Sequence, residues 1–295
     1  MARRVINGFI DAVVEGPVEG SIDKYPLQRD FQASTRLYLQ HYICKRQLGH
    51  LLQPCIPLRK NIKVADVACG TGIWLIDLAK ELAENYPSAQ LQGFDISTAQ
   101  FPPKGWLPKN VILDTLDILK PIPDSLREQF DVVHTGYLCL VVENGDPFPI
   151  LDNLLALLKP GGYLQWDDGD FGGIYAQSTD PGVPKSALDE LKNQAQSLVS
   201  GKYNDFRWIT ELDKAFQKRN LVVLANQYVP IDDEIAHPWT MTHLMASVEM
   251  GSIIERERGN AEEWWNMHRR AIAEMYHGAS LRMSMVSVAG RKPEA

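Results

Sequence analysis

The four cysteines of this 295-residue chain, Cys44, Cys55, Cys69 and Cys139, form no CxxC pair. With no histidine cluster beside them there is no zinc pattern, no metal is expected, and a disulfide framework is not expected at this size. A basic excess is lacking too: 30 lysines and arginines face 37 acids, for a formal charge of -7. That balance argues against a nucleic-acid backbone as the main partner. No apolar run approaches membrane-spanning length. In "MARRVINGFIDAVVEG", Asp11 and Glu15 interrupt the segment before a secretory h-region can form. A soluble cytoplasmic protein is therefore expected, with no membrane or nucleic-acid partner, as a monomer or homodimer. There is no low-complexity tract and no repeat, and the length allows one large domain or two modest ones.

Short apolar runs alternate with helical patterns from Lys63 to Gln165. "KVADVA", "QLQGFDI", "NVILDTLDI", "FDVVHTGYLCLV" and "YLQWDD" read as strands, while "GIWLIDLAKELAENY" and "FPILDNLLALLKPGG" read as helices. This alternation implies βαβ crossovers, a parallel sheet and helices on both faces. Upstream, "QRDFQASTRLYLQHYICKRQLGHLL" is helical until the prolines of "QPCIPL" stop it. Downstream, "LVVLANQYVPI" and "SLRMSMVSVAGRK" read as late edge strands. "HLMASVEMGSIIERER" and "AEEWWNMHRRAIAEMYH" read as helices lying over one end of the sheet, and "DFGGIYAQSTDPGVPKS" as a linker. The expected organisation is one compact unit: an N-terminal helical segment over 1–60, a core over 61–230 and 280–295, and a helical lid over 231–279.

The stretch "NIKVADVACGTGIWLIDLAKEL", 61–82, runs strand, glycine turn, helix. Gly70 and Gly72 let backbone approach a ligand, and the helix start offers unpaired N–H groups. Two features are missing from it. A dinucleotide fingerprint needs G-x-G-x-x-G, but those positions hold Ala68, Gly70 and Ile73. A P-loop needs a Gly-Lys-Ser/Thr ending, and there is none. A pyrophosphate ligand is thereby disfavoured. Asp95 closes the second strand, where doubly wound folds place an acid for ribose hydroxyls. Asp117 follows the third strand, and Asp66 lies near the end of the first. Acids at successive strand ends suit a positively charged ligand with a ribose and an amino group.

On "DVACGTG", Asp95, the pair Asp117-Ile118 and "LLKPGGYLQW", the segment 61–170 resembles a class I S-adenosylmethionine-dependent methyltransferase. Together with "LYLQHY", "GFDISTAQFPP" and "FDVVHTGYLCLVVENGDPFPILDNLLALLKPGGYLQWDD", roughly 25–170 is similar to small-molecule methyltransferases of fungal secondary metabolism. The gliotoxin-type N-methyltransferases are among them. The resemblance implies a Rossmann-like α/β sheet, mostly parallel with a late antiparallel strand. It also implies S-adenosylmethionine as cofactor, S-adenosylhomocysteine as product and a small-molecule acceptor, N-methylation being favoured over O or S. A LaeA-type regulatory protein acting through protein partners, and a cofactor-binding protein without methyl transfer, are the alternatives. By the same resemblance, backbone at Ala68, Cys69 and Gly70 lies against the methionine part. Asp95 takes the ribose, Ile96 packs on adenine, Asp117 accepts from the adenine amino group, and His134 borders the methionine end. N-terminal helices fold over the cofactor in this fold, which brings Tyr25 and Arg36 toward its carboxylate, with a plain surface face as the other reading. Ala68 stands where many relatives carry glycine.

Several candidates have two readings. Asp66 either holds the glycine loop or meets the ligand. Cys69 reads as a small packing residue. His134 is a general base, a cofactor neighbour or a capped loop residue. "QWDDGD" offers Asp167 as a base and Asp168 as an acceptor-orienting group, or else a solvated acidic loop. In the lid, Trp239, His243 and Met245 either line an apolar acceptor pocket or belong to the core.

Overall fold

A computed structural model describes residues 27–198 and 205–294. Helix α1 (Phe31–Leu48) is opened by Asp30, whose carboxylate accepts from the Ala33 N–H at 2.8 Å. It ends at Gly49, in the left-handed region at φ 80°, so glycine rather than the prolines of "QPCIPL" terminates it. Strands β1 (Lys63–Val67), β2 (Gln90–Asp95), β3 (Val111–Thr115), β4 (Phe130–Gly136) and β5 (Leu158–Gly169) follow, with α2 (Ile73–Leu82) after β1 and α3 (Phe148–Leu157) before β5. Next come β6 (Tyr175–Ser178), α4 (Ser186–Leu198), α5 (Arg207–Thr210), α6 (Leu212–Lys218) and β7 (Val222–Pro230). Helices α7 (Asp233–Arg258) and α8 (Glu262–Tyr276) and strands β8 (Ala279–Arg282) and β9 (Ser284–Arg291) close the chain.

The main sheet runs β3-β2-β1-β4-β5-β9-β7. Strands β1 to β5 pair in parallel, and β9 is antiparallel to both neighbours, β5 and β7. This is the Rossmann-like α/β arrangement that the resemblance implies. Of the two late strands, β7 alone forms the edge, while β9 is inserted between β7 and β5. One face is covered around Leu151, Leu154, Trp166 and Phe216, the other around Val64, Leu75 and Leu78. No helix of the described residues is long and apolar enough to cross a membrane.

A third apolar cluster takes in residues of the segment expected as the lid, 231–279, and others outside it. Leu188 and Leu191 of α4 join Ile235, Trp239, Trp264 and Met275, and Ile43 and Cys44 of α1 join them from below. The segment read as a linker contains β6, which pairs antiparallel with β8 through Tyr175 and Arg282. The final run read as one strand breaks at Met283, half of it serving the lid and half the main sheet. The lid is thus a discontinuous layer, tied to the sheet on both sides of its sequence. Helix α7 begins at Asp233, ten residues before the start expected from "HLMASVEM", and carries Pro238 inside it.

Candidate functional site

The carboxyl ends of β1, β2 and β4 frame a cleft, and the turn after β1 forms its floor. Ala68, Gly70 and Gly72 take φ values of 59°, 53° and 71°, all in the left-handed region. This tightens the chain enough for Gly72 N–H to reach the Cys69 carbonyl at 2.8 Å. Gly93 on β2 is equally required, because a Cβ there would sit 2.9 Å from Cys69 Sγ. Cys69 is buried and its thiol pKa is pushed up by burial, in keeping with a packing role. Asp95 accepts from Gly70 N–H at 2.9 Å and from Ser97 N–H at 3.1 Å, so it is this acid, and not Asp66, that holds the glycine turn. Burial raises the Asp95 pKa, and the two N–H groups pull it back. A carboxylate has about four acceptor positions, so two remain to face the cleft. Ile96, Asp117 and Ile118 line the same cleft, with Ala68, Gly70 and Leu116. Asp117 accepts from Leu119 N–H and pairs with Lys120 at 3.1 Å.

Strand register brings three charged side chains together below the turn. Asp66 on β1 stands beside His134 on β4, and Gly136 beside Asp167 on β5. His134 Nδ1 lies 2.7 Å from Asp66 and its Nε2 lies 3.2 Å from Asp167. Its ring stacks on Trp74, with centroids 3.9 Å apart and planes 1° from parallel. Burial opposes the charged ring, but hydrogen bonds and charge from Asp167 and Asp66 outweigh it and raise its pKa to about 9. The raised pKa favours the imidazolium, with an N–H group donated to each flanking carboxylate, and in that form the ring has no lone pair for a general base. Asp167 is equally engaged, accepting from Gln165 at 2.8 Å and Ser287 at 2.5 Å as well as from His134. The cluster carries one positive and two negative charges against the glycine turn. Beside it, the buried Thr71 Oγ1 and His50 Nδ1 have no hydrogen-bond partner among the described residues, and both residues line the cavity at this end of the cleft. Orphaned polar atoms of this kind leave room for a polar ligand. The acids, the apolar pair Ile96 and Ile118, and these atoms fit S-adenosylmethionine.

Alternation along β5 sends Asp168 the other way from Asp167. It is fully buried and accepts from Leu138 N–H, Trp166 Nε1 and Gly169 N–H, with burial lifting its pKa to about 7. Asp168 therefore braces the loop after β4 and does not reach an acceptor. A separate apolar cavity lies between α1, α4 and α7, walled in part by Phe171, Trp239, His243 and Met250. Trp239, His243, Ala246 and Met250 recur at three- and four-residue steps, one stripe of α7. Met245, two residues past His243 and so about 200° around the helix, points away from that stripe; Met250 occupies the wall in its place. Arg36 also lines this cavity, where it pairs with Glu249 at 2.6 Å. Its charge is thus answered by a lid carboxylate, and it faces the apolar cavity rather than the Asp95 cleft. Tyr25 lies outside the described residues.

Cleft and cavity meet at Leu37, Tyr137 and Leu140, none of them a site candidate by sequence. Leu37 and Tyr137 line the cleft at Asp95, its extension at His134 and the apolar cavity alike. Tyr137 holds φ at 56°, its hydroxyl reaching Cys44 Sγ and lying 3.4 Å from Met285 Sδ. A left-handed tyrosine is uncommon enough to mark a constrained site, yet no residue type announces it in the sequence. Leu37 looks like any core position of an amphipathic helix.

A family model described as a methyltransferase domain matches residues 38–226. Methyltransferase grgD of a Penicillium species is 38% identical over 184 residues, covering 60% of this chain and 62% of that protein. N-methyltransferase verN of Clonostachys rogersoniana is 32% identical over 149 residues, covering 50% of this chain and 51% of that protein. The matches thus span between half and three-fifths of these relatives. A chain of the complex between the Haloferax volcanii Trm112 methyltransferase activator and a methyltransferase superposes with a TM-score of 0.53 at 15% identity, over 93% of this chain and 100% of that one, a likeness of fold. The family match takes in the glycine turn, Asp95, Asp117 and the His134 cluster, and it stops before α7. The chain belongs to the methyltransferase domain family.

Proposed function

We propose that the protein transfers a methyl group from S-adenosylmethionine to a nucleophilic atom, nitrogen foremost, of an apolar small molecule of secondary metabolism. The observation that carries this reading is the junction at Leu37 and Tyr137 of a charged cleft and an apolar cavity. The N-methyltransferase name of the Clonostachys relative supports nitrogen as the acceptor atom. When bound, the cofactor supplies an electrophilic methyl on a positively charged sulfur.

The chain's own residues supply placement and field. The free acceptor positions of Asp95 take the ribose hydroxyls, and Asp117 takes the adenine amino group, with Ile96 and Ile118 against the ring. Backbone at Ala68, Cys69 and Gly70 lies along the methionine part. The net negative cluster of Asp66, His134 and Asp167 favours a cation at that end of the cleft, and its low-dielectric surroundings strengthen the effect. Leu37 and Tyr137 exclude water where the two spaces meet. Holding two reactants in line contributes on the order of 7–11 kcal/mol to such a reaction. The test is incubation of the full chain with methyl-labelled S-adenosylmethionine and a fungal metabolite extract, followed by identification of the labelled product. Cofactor binding with no labelled product and no S-adenosylhomocysteine formed would refute methyl transfer to this class of acceptor.

A further inference from the structure

Most polar atoms around the apolar cavity are already paired. The Arg36 guanidinium is matched by Glu249 and touches Gln40. Ser247 Oγ meets His268 Nδ1 at 2.6 Å, Thr242 Oγ1 donates to the Trp239 carbonyl at 2.7 Å, and Gln196 Nε2 donates to the Phe171 carbonyl at 2.9 Å. Cancelled charge and satisfied hydroxyls offer nothing to an ionic acceptor.

Two groups are different: the buried Trp239 Nε1 donor, which has no hydrogen-bond partner among the described residues, and the ring of His243. His243 Nδ1 lies 3.1 Å from the Trp239 carbonyl, a group that only accepts, so that nitrogen carries the ring's hydrogen. The other nitrogen, Nε2, is left with a lone pair, and the described residues give it no partner. Burial holds the ring neutral, with its pKa lowered to about 4, so the lone pair is present throughout the neutral range. The ring stands on the cavity wall between Trp239 and Phe171, at centroid distances of 5.0 and 6.1 Å. An acceptor that faces an apolar space gains from a ligand that brings the donor.

Building on the methyl-transfer reading, we propose that the cavity takes a neutral acceptor molecule carrying an N–H or O–H group, and that His243 Nε2 accepts the hydrogen bond from that group. A thiolate or a fully substituted nitrogen would leave Nε2 unanswered, so the structure favours a protic, uncharged acceptor. Apolar surroundings select the rest of the molecule by shape.

Indole, an apolar ring with an N–H, and benzofuran, the same frame without it, are the probes. Calorimetry on the full chain with bound S-adenosylhomocysteine should show indole held about tenfold more tightly, the worth of one well-made hydrogen bond. The ¹⁵N resonance of His243 Nε2 should move with indole and stay with benzofuran. His243→Phe should make the two probes equal, and His243→Gln, which restores a carbonyl acceptor, should recover part of the preference. Equal affinities with an unmoved Nε2 resonance would overturn the proposal, as would failure of either probe to bind. Should the variants not fold, the resonance in the unaltered protein decides alone. Binding of S-adenosylhomocysteine is read separately in the same titrations: its absence counts against the methyl-transfer reading, whereas its presence without indole preference counts against His243.

Discussion

The Asp95 cleft and the apolar cavity share three wall residues, Leu37, Tyr137 and Leu140, and are built by opposite means. The cleft is made of backbone: three left-handed residues in one turn, N–H groups fixed by Asp95, and acids delivered by strand register. The cavity is made of side chains, an apolar stripe on α7 with its charges cancelled in pairs. Backbone geometry tolerates few residue types, whereas a helical stripe admits many apolar ones. The family match covers the glycine turn and the acids of the cleft, takes in the cavity wall from Tyr137 to Phe206, and leaves out the α7 stripe.

The largest expected effect lies in the charged cluster below the cleft. Replacing His134 by Gln leaves two buried carboxylates without their cation, a loss of about 3–5 kcal/mol of stability. The pH dependence has a definite sign. The folded pKa of His134 is raised from 6.5 to about 9, so its contribution is complete below pH 6.5 and is lost as pH rises through 9. Denaturant titrations should therefore show the unaltered protein losing about 3 kcal/mol over that window, with the loss absent in His134→Gln. A flat profile in the unaltered protein would mean that the ring is neutral and free to serve as a base after all. Next in size, Asp95→Ala removes two charge-assisted hydrogen bonds to the ribose and the brace on Gly70. At about 1.5–3 kcal/mol each, S-adenosylmethionine should bind about 100-fold more weakly or worse. Indole affinity should stay within about twofold if the two spaces are independent.

The same division explains what the sequence made legible. Sheet class, glycine turn, Asp95 and Asp117 could be read because each rests on a residue type required by backbone or charge at a fixed spacing. His134 could be placed near the site, but its role depends on cross-strand register, which puts Asp66 and Asp167 on either side of one ring; no local pattern contains that. Asp167 and Asp168 are adjacent letters with opposite fates because β5 is buried on both faces. A helix read as starting at 243 gives no phase for the stripe, so the sequence points to Met245 although Met250 lines the wall. The tie between β6 and β8 is not legible, because β6 is four residues long and pairs with a strand about a hundred residues away.

Arg36 sharpens the comparison further, since by sequence it belonged to the cofactor and by structure it belongs to the cavity. Arg36→Met alone leaves Glu249 buried without a partner and should destabilise strongly. Combining it with Glu249→Leu removes both charges, and stability should return to within about 1 kcal/mol of the unaltered protein. In the double variant S-adenosylmethionine affinity should hold within about twofold. A tenfold or greater loss would return Arg36 to the cofactor's carboxylate.

The smallest effect tests whether the cleft is a backbone device. Ala68 carries a Cβ at φ 59°, where non-glycine residues cost roughly 1–2 kcal/mol. Ala68→Gly relieves that strain but loosens the unfolded chain, a cost of about 0.4–1 kcal/mol. The net expectation is a gain of about 0.5–1 kcal/mol, or a melting temperature higher by about 1–4 °C for a chain of this size. Cofactor affinity should hold or improve slightly, because the turn keeps its hydrogen bonds to Asp95 and to Cys69. A lower melting temperature would show that the Ala68 methyl contributes apolar contact in the cleft worth more than the strain it imposes, so that this part of the cleft is built from side chains as the cavity is.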